Sequence, residues 1–96
     1  MRRERLRLAL LEGPELGPPP AHLNADQLDA WYGIVGACDD VLCRSDRACI
    51  EIAARALTQW RNGDRSITWL RLQYRMLGKL LIPMPARRRL IFGPRA

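Results

Sequence analysis

Histidine occurs once in this chain of 96 residues, cysteine three times, and no run of about 20 apolar residues appears anywhere. Each scarcity removes a class of function. His22 sits alone in a proline-rich stretch, with no nucleophile and carboxylate arranged around it as a triad requires. Cys38, Cys43 and Cys49 form no CxxC pair, and with a single histidine they do not make a zinc site. They read as small buried hydrophobes in a reducing cytoplasm. The apolar run at Leu80 to Ile82 is stopped at once by Pro83, and the Leu8-Ala9-Leu10-Leu11 patch in the arginine-rich start is too short for a secretory core. These absences predict a soluble cytoplasmic protein without cofactor or metal.

A further absence is local. From Arg65 to Ala96 there are seven arginines and one lysine, and no aspartate or glutamate. Residues 13–64 carry eight acidic and four basic side chains, and residues 1–12 carry four arginines against two glutamates, so the net charge of +6 averages over opposing blocks. Positive charge concentrated on a folded surface attracts polyanions and makes their binding fall with added salt. If four to six of these cations neutralised phosphates, the slope of log affinity against log salt would be about −4 to −5.

The pattern along the chain is helical, with no alternating strand signature and no internal repeat. Residues 1–20 read as a basic N-terminal arm followed by a Gly/Pro linker, residues 21–82 as a helical core, and residues 83–96 as a basic C-terminal segment. Asn24 caps a helix running to about Cys38, with Leu28, Trp31, Val35 and Cys38 on one face and Trp31 as a core anchor. Ser45 opens a second helix that ends at Asn62-Gly63, its stripe made of Cys49, Ile52, Ala53, Ala56, Leu57 and Trp60. The abundant alanines favour close pairing of these two helices as an antiparallel hairpin.

A long third helix is predicted over residues 65–81. It carries a seam of Ile67, Leu70, Tyr74, Leu77 and Leu81, and beside it a second stripe of Trp69, Leu72, Met76 and Leu80. A chain this small buries only about 60 to 65% of its unfolded surface, so one stripe is expected to be covered by another copy, and the nine residues of the two stripes are the candidates for that subunit interface. Arg71, Arg75 and Lys79 recur every four residues as a basic ridge, and Gly78 marks a bend or a close contact. A short final helix follows from Pro85 through Arg87, Arg88, Arg89 and Leu90. The expected architecture is therefore all-α: a helical hairpin, a long third helix and a short C-terminal helix, in an oligomer.

No catalytic constellation emerges. Asp26, Asp29, Asp39 and Asp40 occupy helix ends and exposed faces, and Gly33 with Gly36 lies inside a helical pattern, where a phosphate loop would need a preceding strand. The residues expected to meet DNA are Arg71, Arg75, Lys79, Arg87, Arg88 and Arg89, with Arg2, Arg3, Arg5 and Arg7 as an alternative arm.

Three segments, in order, resemble the small subunit of tailed-phage terminases, in the short all-helical group that includes prophage and gene transfer agent versions. Pro18-Pro19-Pro20-Ala21-His22-Leu23-Asn24, leading into a helix with Trp31, is similar to the family's opening; Val41-Leu42-Cys43-Arg44-Ser45-Asp46, running into Ala53-Ala54, to its second-helix start; and Pro85-Ala86-Arg87-Arg88-Arg89-Leu90 to its closing motif. The resemblance spans about residues 18–90. It implies a ring of identical subunits that binds viral double-stranded DNA and recruits the large terminase subunit, modulating its ATPase and nuclease while having no catalytic centre itself. Two other readings fit the residues: a small helix-turn-helix transcription regulator, and a protein-interaction module gripping an acidic partner.

Overall fold

Asn24 begins the first helix with a reciprocal cap: its side chain accepts from the amide of Gln27 at 2.8 Å, and Gln27 Oε1 accepts from the amide of Asn24 at 3.0 Å. The helix, α1, spans Ala25–Ala37 in a computed structural model that describes residues 15–38 and 42–93. Asp39 and Asp40, and the arginines at positions 2, 3, 5 and 7, lie outside the described residues.

The second helix begins two residues later than the sequence suggests. Arg44–Asp46 form a 3₁₀ turn, and α2 runs over Arg47–Arg61. The turn is fixed by Asp46, whose buried carboxylate accepts from the amide of Cys43 at 2.9 Å. At the other end the Asn62-Gly63 stop signal operates as expected: Gly63 takes a left-handed φ of 106°, its amide bonds Trp60 O, and the amide of Asp64 bonds Gln59 O.

The helix α3 spans Ile67–Lys79 and α4 spans Met84–Phe92. Ser66 caps α3, and Asp64 braces that end by accepting from the indole nitrogen of Trp69 and the amide of Ser66. Pro83 is the N-cap of α4, where a missing N–H costs nothing. With 13 residues, α3 is no longer than α1 and shorter than the 15-residue α2, so the expected long third helix is corrected. Its shortness follows from the Ser66 cap at one end and a left-handed turn at Leu81, φ 60°, at the other.

Packing centres on α2, which lies against α1 on one side and α3 on the other, while α4 touches all three. The core comprises Ala30, Trp31 and Ile34 of α1; Ile50, Ala53, Ala54, Leu57 and Trp60 of α2; Met76, Leu77 and Leu80; and Ile82 and Ile91. Burial of each large member contributes about 1.5 to 3 kcal/mol relative to exposure. Ala53, Ala54 and Ala56, all buried, give α2 a slim profile that lets a helix approach on either side.

Several sequence expectations shift. On α1 the most buried positions are Ala30, Trp31 and Ile34, with Val35 and Cys38 only flanking them. On α2, Ile52 is exposed and Ile50 takes the core position. On α3 the buried face passes through Gln73, which is 0% exposed, and continues to Met76, Leu77 and Leu80. Those three apolar residues were expected at a subunit interface; they are instead in the chain's own core, because α2 and the turn at Ile82 cover them. Leu70, Leu72 and Tyr74 pack partly against the same core, and Ile67, at 57%, stays outside.

The segment before α1 is pinned to the core. Glu15 pairs with Cys43 in an isolated antiparallel bridge, Leu16 packs on the core, and Arg47 donates to the carbonyls of Leu16 at 2.8 Å and Pro18 at 2.5 Å. At its C-terminal end the core includes Ile91, so α4 belongs to the helical body and not to a separate tail. Among the described residues no helix is long and apolar enough to cross a membrane.

Candidate nucleic-acid interface

With Gln73, Met76, Leu77 and Leu80 turned inward, the 3.6-residue repeat places Arg71, Arg75, Gly78 and Lys79 on the opposite face of α3. Ile67 and Thr68 share that face, which explains why Ile67 remains exposed. Arg71, Arg75 and Lys79 are all exposed, and their four-residue spacing sets them about 6 Å apart along the axis. Among the described residues none of the three forms an ion pair, since the only ones are His22 with Glu51, Arg55 with Glu51, and Arg61 with Asp29.

The three arginines of α4 diverge, as successive residues on a helix must. Arg87 turns toward α3. Its Nε donates to Ile82 O at 2.6 Å, and its terminal nitrogens lie 3.4 Å from where a Cβ on Gly78 would stand. A Cβ at 78 would only touch the Arg87 guanidinium, which lies over that part of α3, whereas a side chain longer than alanine's would enter its space. Arg88 is exposed and unpaired among the described residues. Arg89 faces the other way, lining an open groove with Gly33, Gly36 and Ala37 of α1 and with Arg61.

The sequence-predicted set therefore splits. Arg71, Arg75 and Lys79 share the outer face of α3, and Arg87 reaches that helix over Gly78 to make a strip of four; Arg88 is exposed, and Arg89 lines a different groove. Sequence reasoning missed Thr68, which a helical projection from Arg71 would have found. It also missed Arg65, stacked 4.6 Å over the ring of Trp60, whose other neighbour is the edge of Phe92 at 5.9 Å between centroids. That stack depends on tertiary contact and leaves no mark in the local pattern.

The strip holds only donors and positive charge, and no carboxylate occurs in sequence from Arg65 onward. Such a surface can bind an anion in several places at once. Among the described residues no three His, Cys, Asp or Glu side chains come together to hold a metal. The chain matches no protein-family model, no curated protein and no solved structure.

Proposed function

We propose that this chain is a DNA-binding adaptor of viral DNA packaging, a terminase small subunit that holds duplex DNA and recruits the large, catalytic subunit. The observation that carries the DNA-binding part is the strip of Arg71, Arg75, Arg87 and Lys79: four cations on one face, none paired with a carboxylate among the described residues. The packaging role rests on the resemblance of three ordered segments, each of which has a structural use. The proline-rich opening is clamped by Arg47, Asp46 fixes the turn into α2, and the closing motif forms α4 and delivers Arg87 to Gly78. Self-association belongs to the same proposal, with Ile67 and the half-buried Trp69, Leu70, Leu72, Tyr74 and Leu81 as the apolar positions left for a neighbouring copy.

The test is a retardation assay on duplex DNA at low salt, with Arg71, Arg75 and Lys79 changed together to glutamate, alongside co-purification with the large subunit. The proposal expects retention by the wild type, loss in the triple variant, and a complex several times the monomer mass. A wild-type chain that leaves DNA unretarded at low salt while gripping an acidic protein would instead establish the interaction-module reading, which the open groove lined by Thr68, Arg71, Leu72 and Arg75, with one apolar side chain among cations, favours.

A further inference from the structure

We infer that Arg87 is a preorganised phosphate contact, positioned by Gly78, and that the strip it completes grips the DNA backbone without reading base edges. The inference rests on the DNA-binding reading above and adds to it a specific atom-level role.

Exposed arginines on a helix are mobile, and each must give up rotamer freedom to hold a phosphate. Arg87 has already done so. Its Nε is tied to the Ile82 carbonyl at 2.6 Å, and its planar head lies over Gly78, 3.4 Å from where a Cβ there would stand. The tether uses the Nε donor and leaves the two terminal nitrogens, which are the pair that forms a forked contact with phosphate oxygens. A lysine at this place would keep the charge but lose both the tether geometry and the fork.

The neighbours offer no reader of adenine, and the duplex comparison below separates phosphate contact from the other arginine contact, the forked bond to guanine. The outer face of α3 presents Thr68, Arg71, Arg75, Gly78 and Lys79, and the one amide side chain of this helix, Gln73, is directed into the core. Asparagine and glutamine, the residues suited to adenine, are therefore missing from the face. The cations step along α3 by about 6 Å, against about 3.4 Å per nucleotide along one strand, so neighbouring cations address different phosphates. Contacts of this kind fix orientation and carry no sequence information.

The test measures binding of the full chain to two short duplexes of unrelated sequence by fluorescence anisotropy, for the wild type, Arg87→Lys, Arg88→Lys and Gly78→Leu. Expected are equal wild-type affinities for the two duplexes within about threefold, about a tenfold loss for Arg87→Lys, and little change for Arg88→Lys, whose side chain is free of any tether. Gly78→Leu leaves every charge in place and suits a helix better than glycine, while its side chain beyond Cβ enters the space of the guanidinium; displacement of that group is expected to weaken binding several-fold. It decides the matter if Arg87→Lys unfolds. Wild-type affinity retained in both Arg87→Lys and Gly78→Leu, or strong preference for one duplex, overturns the inference while leaving DNA binding intact. Absence of wild-type binding to either duplex overturns both.

Discussion

The amide of Ile82 donates to the carbonyl of Leu77 at 3.1 Å, and the two side chains meet in the core, at 0% and 1% exposure. This closes α3 in the same way that Asp64 and Gln59 close α2, with one difference: the left-handed position is Gly63 in the first case and Leu81 in the second. A leucine in that conformation costs roughly 1 to 2 kcal/mol relative to glycine. Leu81→Gly is expected to raise stability by about 1 kcal/mol in urea unfolding, whereas Ile82→Ala should lower it by about 2 to 5 kcal/mol.

Gln73 is the polar residue buried most completely, and it is only half satisfied. Its Nε2 donates to Trp69 O at 3.1 Å, while its Oε1 accepts no hydrogen bond among the described residues. An unpaired buried acceptor costs about 1 to 3 kcal/mol, and an apolar side chain of similar shape avoids that penalty. Gln73→Met is therefore expected to leave helix content unchanged and to stabilise the fold by about 1 kcal/mol in the same unfolding measurement.

Arg47 joins three pieces of the molecule, donating to Leu16 O and Pro18 O and lying 5.5 Å from the ring of Trp31. Removing it strands two carbonyls and frees the segment 15–20. Arg47→Ala should lower stability by about 1 to 3 kcal/mol and raise hydrogen exchange and proteolytic cutting selectively around residues 15–20, with the Trp31 emission shifted.

What the sequence disclosed and what it hid divide along physical lines. Helix ends were legible because caps act locally: Asn24 with Gln27, Asn62-Gly63, and the prolines at α4 all operate within four residues of the end they define. Trp31 was legible as a core residue for the same reason of spacing. The buried face of α3 was not, because a glutamine occupies its centre and the apolar pattern was drawn around it, which put Met76, Leu77 and Leu80 among the interface candidates together with the exposed Ile67. The basic ridge of Arg71, Arg75 and Lys79 follows from a four-residue repeat. Its fourth member does not, since only the turn through Ile82 carries Arg87 back onto Gly78. That the segment from Glu15 is held against the helices was not legible in the composition of residues 13–20, because the clamp is an arginine some thirty residues away.

The central claim is that the strip on α3 and α4 is where this protein meets DNA. The most direct test is the salt dependence of duplex affinity in the wild type and in the Arg71/Arg75/Lys79 triple glutamate variant. With the four cations each neutralising a phosphate, the wild-type slope of log affinity against log salt is expected to be about −3.6 or steeper, with binding abolished in the variant. A wild-type slope near zero, or a variant that binds as the wild type does, would contradict the account.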